Sequence, residues 1–326
     1  MKVLITTVPF GSSNQKPIID LKANDINFII NPLNKKLTEN ELINMVDDID
    51  VIIAGTEPIT RHVMDKAKKL KLISRVGIGL DSVDLVAARE KGILVSYTPD
   101  APAPAVAELT MGLVLTLLRF VHVSNIEMHH GRWHRFFGRR LSESSLGIIG
   151  MGRIGKHFLR LLKGFDLKKI LVNDIKIDNS LAQEYDFVWA SKEEIYSSCD
   201  IITIHTPLTA ETHNLITTNE LKMMNKDAIL INTARGGIIN ELDLYHHLSS
   251  GGLAGAAIDV FNNEPYDGPL KELNNCILTS HMGSMSYDCR SKMEIEATEE
   301  AIRFINSENL LGLVPQEEYD VQIKGF

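Results

Sequence analysis

Short apolar runs rich in Val and Ile alternate with longer stretches of helical periodicity along almost the whole chain. Such alternation predicts βαβ units and parallel sheets, an α/β architecture. A first set of strands is expected at Val3–Val8, Phe28–Ile30, Val51–Ala54, Leu72–Val76 and Ile93–Tyr97. A second set is expected at Leu146–Ile149, Ile170–Asn173, Phe187–Trp189, Ile201–Ile204, Ala228–Asn232, Ala254–Val260 and Cys276–Thr279. The prediction is therefore two sheets, one of five strands and one of seven. Between the sets, Pro99, Pro102 and Pro104 predict a linker, because proline neither continues a helix nor pairs inside a sheet. A helix is expected from about Ala105 to Val121, and another from about Tyr287 to Asn306. If the later helix crosses back, the first domain is discontinuous. The tail after Val314 has little pattern and is expected to be partly mobile.

Composition narrows the class. The 326 residues suggest two domains. Hydrophobic residues at 44% and charged residues at 23% are ordinary for a globular chain with real cores. A net charge of −8 argues against the clustered positive surface that nucleic acid requires. Cys199, Cys276 and Cys289 are an odd, sparse set without CxxC spacing, so reduced thiols are expected rather than disulfides or zinc. No stretch reaches the ~18 apolar residues that span a bilayer. The opening Met1-Lys2-Val3-Leu4-Ile5 is too brief for a signal sequence and reads as a first strand. A cytoplasmic location follows as an expectation.

The first chemical signal is Gly150-Met151-Gly152-Arg153-Ile154-Gly155. A GxGxxG alone is weak. Here Leu146–Ile149 precedes it as a strand and an apolar-periodic stretch, Lys156–Leu162, follows as a helix. Gly150, Gly152 and Gly155 then serve a tight turn, a close backbone approach to pyrophosphate, and helix–strand packing. The helix N-terminus, through residues such as Arg153 and Ile154, offers free N–H groups and a positive dipole end to phosphates. Asp174 lies 24 residues after Gly150, near the spacing of about 20 expected for a ribose-binding carboxylate. That charge favours NAD over NADP, with Lys176 as a nearby cation that could accept the extra phosphate.

Open parallel sheets bind ligands at the carboxyl ends of their strands. Three such ends carry Arg235, Glu264 and His281. Oxidation of a 2-hydroxy acid removes a hydride and a hydroxyl proton. His281 suits the proton, since imidazole titrates near neutrality. Glu264 can orient that ring, and Arg235 can grip a carboxylate with two prongs. Taken singly, an Arg before two glycines, a Glu before proline and a His after a strand are ordinary loop residues; together, beside a dinucleotide turn, they make a site.

These segments, together with His205-Thr206-Pro207-Leu208-Thr209, Ile231-Asn232-Thr233-Ala234-Arg235-Gly236-Gly237, Ala257-Ile258-Asp259-Val260-Phe261 and Ser280-His281-Met282-Gly283-Ser284, resemble the D-2-hydroxyacid dehydrogenase family. The resemblance covers nearly the whole chain and is most specific from about 70 to 300. It implies a flavodoxin-like substrate domain at 1–98 and 288–326 and an NAD-binding Rossmann domain at 99–287, with a cleft that closes on substrate. It implies catalytic roles for Arg235, Glu264 and His281. It adds Thr206, Pro207, Thr233, Ala234, Asp259 and Gly283 to the cofactor-binding set, and implies homodimers formed through the cofactor domains. Arg75-Val76-Gly77 resembles the family's substrate-carboxylate loop, with N–H groups near Val76 and Gly77 meeting the carboxylate. Arg75 resembles the 3-phosphoglycerate dehydrogenases, where it fits a phosphate; an Arg capping a strand end is the plain alternative. Two positions depart from the family: Ser280 stands where proline is common, and Ala101-Pro102-Ala103-Pro104 replaces a stretch that usually carries Asn or Ser. The chain's length gives no expectation of a serine-sensing regulatory domain.

The leading expectation is an NAD-dependent oxidoreductase of a D-2-hydroxy acid, with 3-phosphoglycerate the best single substrate. A glyoxylate, hydroxypyruvate or other 2-oxoacid reductase is the alternative. A non-catalytic NAD-sensing scaffold, like the C-terminal-binding co-repressors of the same fold, is a third. No metal is expected: His129, His130 and His134 sit in an ordinary surface extension. No nucleic-acid or membrane partner is expected.

Overall fold

A computed structural model describes residues 1–323; the last three residues of the expected return to the first domain lie outside it. The described residues separate into two compact units, residues 1–102 with 285–323, and residues 103–284.

Unit 1 is built on a five-stranded parallel sheet: β1 (Lys2–Ile5), β2 (Asn27–Ile30), β3 (Val51–Ala54), β4 (Leu72–Arg75) and β5 (Leu94–Tyr97), in the order β2-β1-β3-β4-β5. Every residue of β3 and β4 is buried, as expected of strands covered on both faces. The 19-residue helix Tyr287–Ile305 packs on β3 and β4. Its buried Glu294 pairs with Arg290 (2.6 Å) and accepts the Gly11 N–H (2.8 Å), tying the loop after β1 to the helix.

Unit 2 is a seven-stranded parallel sheet: β6 (Ser145–Ile149), β7 (Lys169–Asn173), β8 (Val188–Trp189), β9 (Ile201–Ile204), β10 (Ile229–Asn232), β11 (Gly255–Ile258) and β12 (Cys276–Leu278). The order is β12-β11-β10-β9-β6-β7-β8, so the direction of winding reverses between β6 and β9. Alternation along each strand divides its side chains between two cores. Ile149, Ile202, Ile204, Leu230, Ala256 and Ile258 enter one. Leu146, Ile148, Ile201, Ile229, Ile231 and Ala257 enter the other. Burial on both faces explains why these strands read as unbroken apolar runs.

Both sheets have the expected number of strands. Three local features differ. The proline-rich segment does not exclude a helix: it opens one, Pro102–Leu118. Pro102 and Pro104 fall in the first turn, where a missing N–H costs nothing because no intrahelical acceptor exists for it. That helix stops short of Val121. Phe120 takes a left-handed φ of 53° and a new helix runs Val121–His129. The tail after Val314 forms the helix Gln316–Ile323. Arg89 lies 3.9 Å over the Tyr319 ring, and Gln322 accepts from Leu85 N and donates to the Val83 carbonyl. Contacts with distant residues, not local periodicity, hold this segment. Among the described residues no single helix is long and apolar enough to cross a membrane.

Candidate active site

The glycine turn follows β6 and opens the helix Arg153–Leu162. Gly150 has φ +101°, and a Cβ there would lie 2.6 Å from the His205 carbonyl carbon. A Cβ on Gly155 would sit 2.2 Å from the Gly150 carbonyl oxygen. Gly152 meets nothing within 4 Å. Two glycines thus serve internal close packing, while the middle one leaves open space before the N-terminus of a ten-residue helix. That is the cradle a pyrophosphate needs. Arg153 is exposed and Ile154 half-buried on that first turn. Thr206, two residues after β9 with its N–H against Gly150, has a buried hydroxyl without a partner among the described residues. Pro207 follows it, exposed. The residues present fit a dinucleotide.

Asp174 immediately follows β7. One oxygen accepts the Met151 N–H (2.6 Å) and the other the Lys176 N–H (2.8 Å). The carboxylate is therefore part of the glycine turn's own framework as well as a group placed for a ribose.

Arg235, Glu264 and His281 follow β10, β11 and β12, three adjacent strands. Asn232 shapes the first of these ends. Its amide donates to the Arg235 carbonyl (2.8 Å) and its oxygen accepts from Ala234 N (3.0 Å). The neighbouring Thr233 hydroxyl shares a hydrogen bond with buried Thr110 (2.8 Å). Arg235 is half-buried and donates to the Ala234 carbonyl (2.7 Å).

Both Glu264 oxygens lie at hydrogen-bond distance from His281 Nδ1, at 3.0 and 2.9 Å. An ionised carboxylate only accepts, so Nδ1 carries the proton and the neutral ring presents a lone pair at Nε2. The two side chains keep 38% and 27% of their exposure, enough for a small molecule to reach the ring.

His281 itself is held in a left-handed conformation, φ 51°. Such a backbone is unfavourable for a residue with a Cβ and persists only where neighbours determine it. Buried Asp259 does so. Its carboxylate accepts from Thr279 Oγ1 (2.6 Å), Met282 N (2.9 Å) and Gly283 N (2.9 Å), and its carbonyl accepts His281 N (2.8 Å). Asn232 and Thr110 were not singled out in the sequence. A polar residue closing an apolar strand, as Asn232 does, is the signal that marks such turn-shaping groups.

In unit 1, Arg75 ends β4, is buried, and donates to the Val76 carbonyl. Val76 N donates to the Ala54 carbonyl (2.9 Å), and Gly77 N, at φ +132°, to Thr98 Oγ1 (2.8 Å). The two N–H groups expected to meet a substrate carboxylate thus already have acceptors in the fold.

Comparison with known proteins agrees with this geometry. Residues 111–283 match the D-isomer specific 2-hydroxyacid dehydrogenase, NAD binding domain. The chain is 38% identical over 293 residues to a D-3-phosphoglycerate dehydrogenase of Methanocaldococcus jannaschii, covering 86% of this chain and 56% of the relative. It is 33% identical over 277 residues to a hydroxypyruvate reductase of Thermotoga maritima, covering 83% and 89%. The crystal structure of the TT0316 protein from Thermus thermophilus superposes with a TM-score of 0.88 at 32% identity, covering 97% of this chain and all of that one. The chain spans about half the length of the phosphoglycerate dehydrogenases it matches. With a family match over more than half its residues and an NAD-binding cradle built as that family requires, the chain belongs to the D-isomer specific 2-hydroxyacid dehydrogenases.

Proposed function

We propose that this protein is an NAD-dependent dehydrogenase that interconverts a D-2-hydroxy acid and its 2-oxo acid. The His281–Glu264 pair, on the same sheet as the glycine turn, carries the proposal. Bound NAD supplies the hydride acceptor or donor. Nε2 of His281 takes the hydroxyl proton during oxidation and returns it during reduction. Glu264 holds the ring in the tautomer that can do so and stabilises the imidazolium that results. Arg235 pairs with the substrate carboxylate. Asp174 favours NAD by repelling a 2′-phosphate.

For the substrate we propose 3-phosphoglycerate, with Arg75 receiving the phosphate. The buried guanidinium at the end of β4 and the identity to a D-3-phosphoglycerate dehydrogenase support it. The 33% identity to a hydroxypyruvate reductase favours a second reading, a reductase of small unphosphorylated oxoacids. A panel of phosphohydroxypyruvate, hydroxypyruvate and glyoxylate, followed by NADH absorbance, separates them. Under the first reading Arg75→Leu weakens phosphohydroxypyruvate at least about tenfold more than hydroxypyruvate. Turnover of the small acids alone overturns it. NADH binding without turnover of any acid overturns the dehydrogenase reading itself.

We also propose a homodimer through unit 2. A cavity of about 450 Å³ lined by Leu117, Phe120, Phe136 and Ile229 lies on the same segment as exposed Trp133 and Phe137. Sedimentation of the wild type and of Phe137→Glu tests it, a monomeric variant being the expected result.

A further inference from the structure

The loop that carries Glu264 is held by two carboxylates, and only one belongs to the reacting pair. Glu264 accepts from Phe261 N (3.2 Å). The next N–H along the chain, Asn262 N, donates to Glu241 Oε1 (2.7 Å). Glu241 is the first residue of the helix Glu241–Ser249, six positions after Arg235. The Phe261–Asn262 peptide between those two N–H groups is pressed against the Arg235 turn. A Cβ on Gly236 would lie 2.1 Å from the Phe261 carbonyl carbon and 2.6 Å from Asn262 N. Asn262 Oδ1 would be 3.0 Å from a Cβ on Gly237. One peptide is therefore the joint between the turn that presents Arg235 and the loop that presents Glu264.

An acidic residue in the first turn of a helix is ordinarily explained by the helix dipole. An exposed side chain satisfies that role. Glu241 is instead half-buried and turned to an N–H 21 positions along the chain. Burial, with Glu264's charge adding to it, pushes its carboxyl above the usual range. Placing two carboxylates together is unfavourable unless the hydrogen bond contributes something in return.

We propose that Glu241 is a positioning residue for the catalytic pair: by holding the Phe261–Asn262 peptide against Gly236, its carboxylate sets the placement of Glu264 relative to Arg235. The proposal rests on the assignment of Arg235, Glu264 and His281 as the reacting residues. Glu241 holds the Asn262 peptide rather than the glycine turn, and Asn232 anchors the Arg235 turn separately, so its loss falls on Glu264 and on turnover rather than on binding.

The test compares Glu241→Ala with Glu241→Gln, whose amide oxygen can still accept the Asn262 N–H. Steady-state rates use NADH with hydroxypyruvate as probe, and NADH affinity is taken from fluorescence. Nitrogen-15 spectra of the His281 ring, in the chain without cofactor and at a pH where the ring is neutral, report its tautomer. Glu241→Ala is expected to lose about tenfold to a hundredfold in kcat, the scale of a misplaced reacting group. KM and NADH affinity stay within about threefold, since Asn232 still fixes the Arg235 turn and the glycine turn is not involved. Glu241→Gln recovers most of kcat. The ring keeps the Nδ1–H form in the wild type and in Glu241→Gln, and becomes a mixture in Glu241→Ala. Unchanged turnover in Glu241→Ala, equal loss in both variants, or an unchanged tautomer in Glu241→Ala overturns the proposal. If the wild type turns over no acid, the dehydrogenase reading fails, while the tautomer comparison still decides the role of Glu241.

Discussion

Two histidines stand at strand ends of the same sheet, and their surroundings give them opposite characters. His281, after β12, is partly exposed and shares its Nδ1 proton with Glu264. His205, directly after β9, is buried beside Phe158, with their rings 5.5 Å apart, and neither ring nitrogen has a partner among the described residues. Burial alone pushes the His205 imidazole down to about 3. A group that stays neutral across the physiological range and cannot be reached moves no proton. His205 is a packing residue whose backbone closes on Gly150, while His281 presents an accessible ring beside a carboxylate, the arrangement that the proposed proton transfer needs. Residue type and position at a strand end do not by themselves distinguish the two; a carboxylate partner and access do.

The comparison can be broken at its active member first. His281→Ala is expected to lower kcat about a thousandfold, the scale of general acid–base catalysis, with NADH affinity unchanged. Full turnover in that variant would remove His281 from the mechanism. Asp259→Ala attacks the support instead of the ring. It leaves Thr279 Oγ1, Met282 N and Gly283 N without their buried acceptor, and should cost about 3 kcal/mol in urea unfolding together with a large loss of turnover, because the left-handed turn at His281 is released. Glu264→Gln keeps the shape but supplies a neutral partner. It should reduce kcat about tenfold to thirtyfold and change the pH profile of turnover.

The smallest effect on turnover sharpens the inert member. His205 has a folded pKa below its unfolded value, so as pH falls the unfolded chain takes up the proton first. Its contribution to stability is complete above about pH 6.5 and is lost progressively toward about pH 3, by at most about 1.4 kcal/mol per pH unit. His205→Leu, which removes the titrating group, should flatten that part of the acid limb of urea midpoints and leave turnover near that of the wild type. A variant with an unchanged slope would show that His205 is not the proton's destination.

Much of this was readable in the chain. Both parallel sheets, their strand counts and the glycine turn follow from apolar runs punctuated by glycine, a local pattern. Arg235, Glu264 and His281 were readable as residues following strands. Helix and linker were harder to separate: Pro102 and Pro104 forbid a helix interior and yet suit its first turn, and only the position of the helix start decides which applies. Gln316–Ile323 has no strong amphipathic pattern of its own, so its helix rests on Tyr319 and Gln322 reaching residues 80–89, which no local signal reveals.

The sequence by itself determined the α/β class, the dinucleotide cradle and the list of residues with chemistry in them, because these depend on short-range periodicity and on residue types at strand ends. Tertiary structure decided which of those residues meet. It paired His281 with Glu264, put Asp259 beneath a left-handed turn, sealed His205 away from water, and brought Glu241 to a peptide 21 positions distant. The physical reason is that hydrogen-bond partnership and desolvation depend on which strands lie side by side, and the order β12-β11-β10 is set by packing of the whole sheet rather than by any one segment.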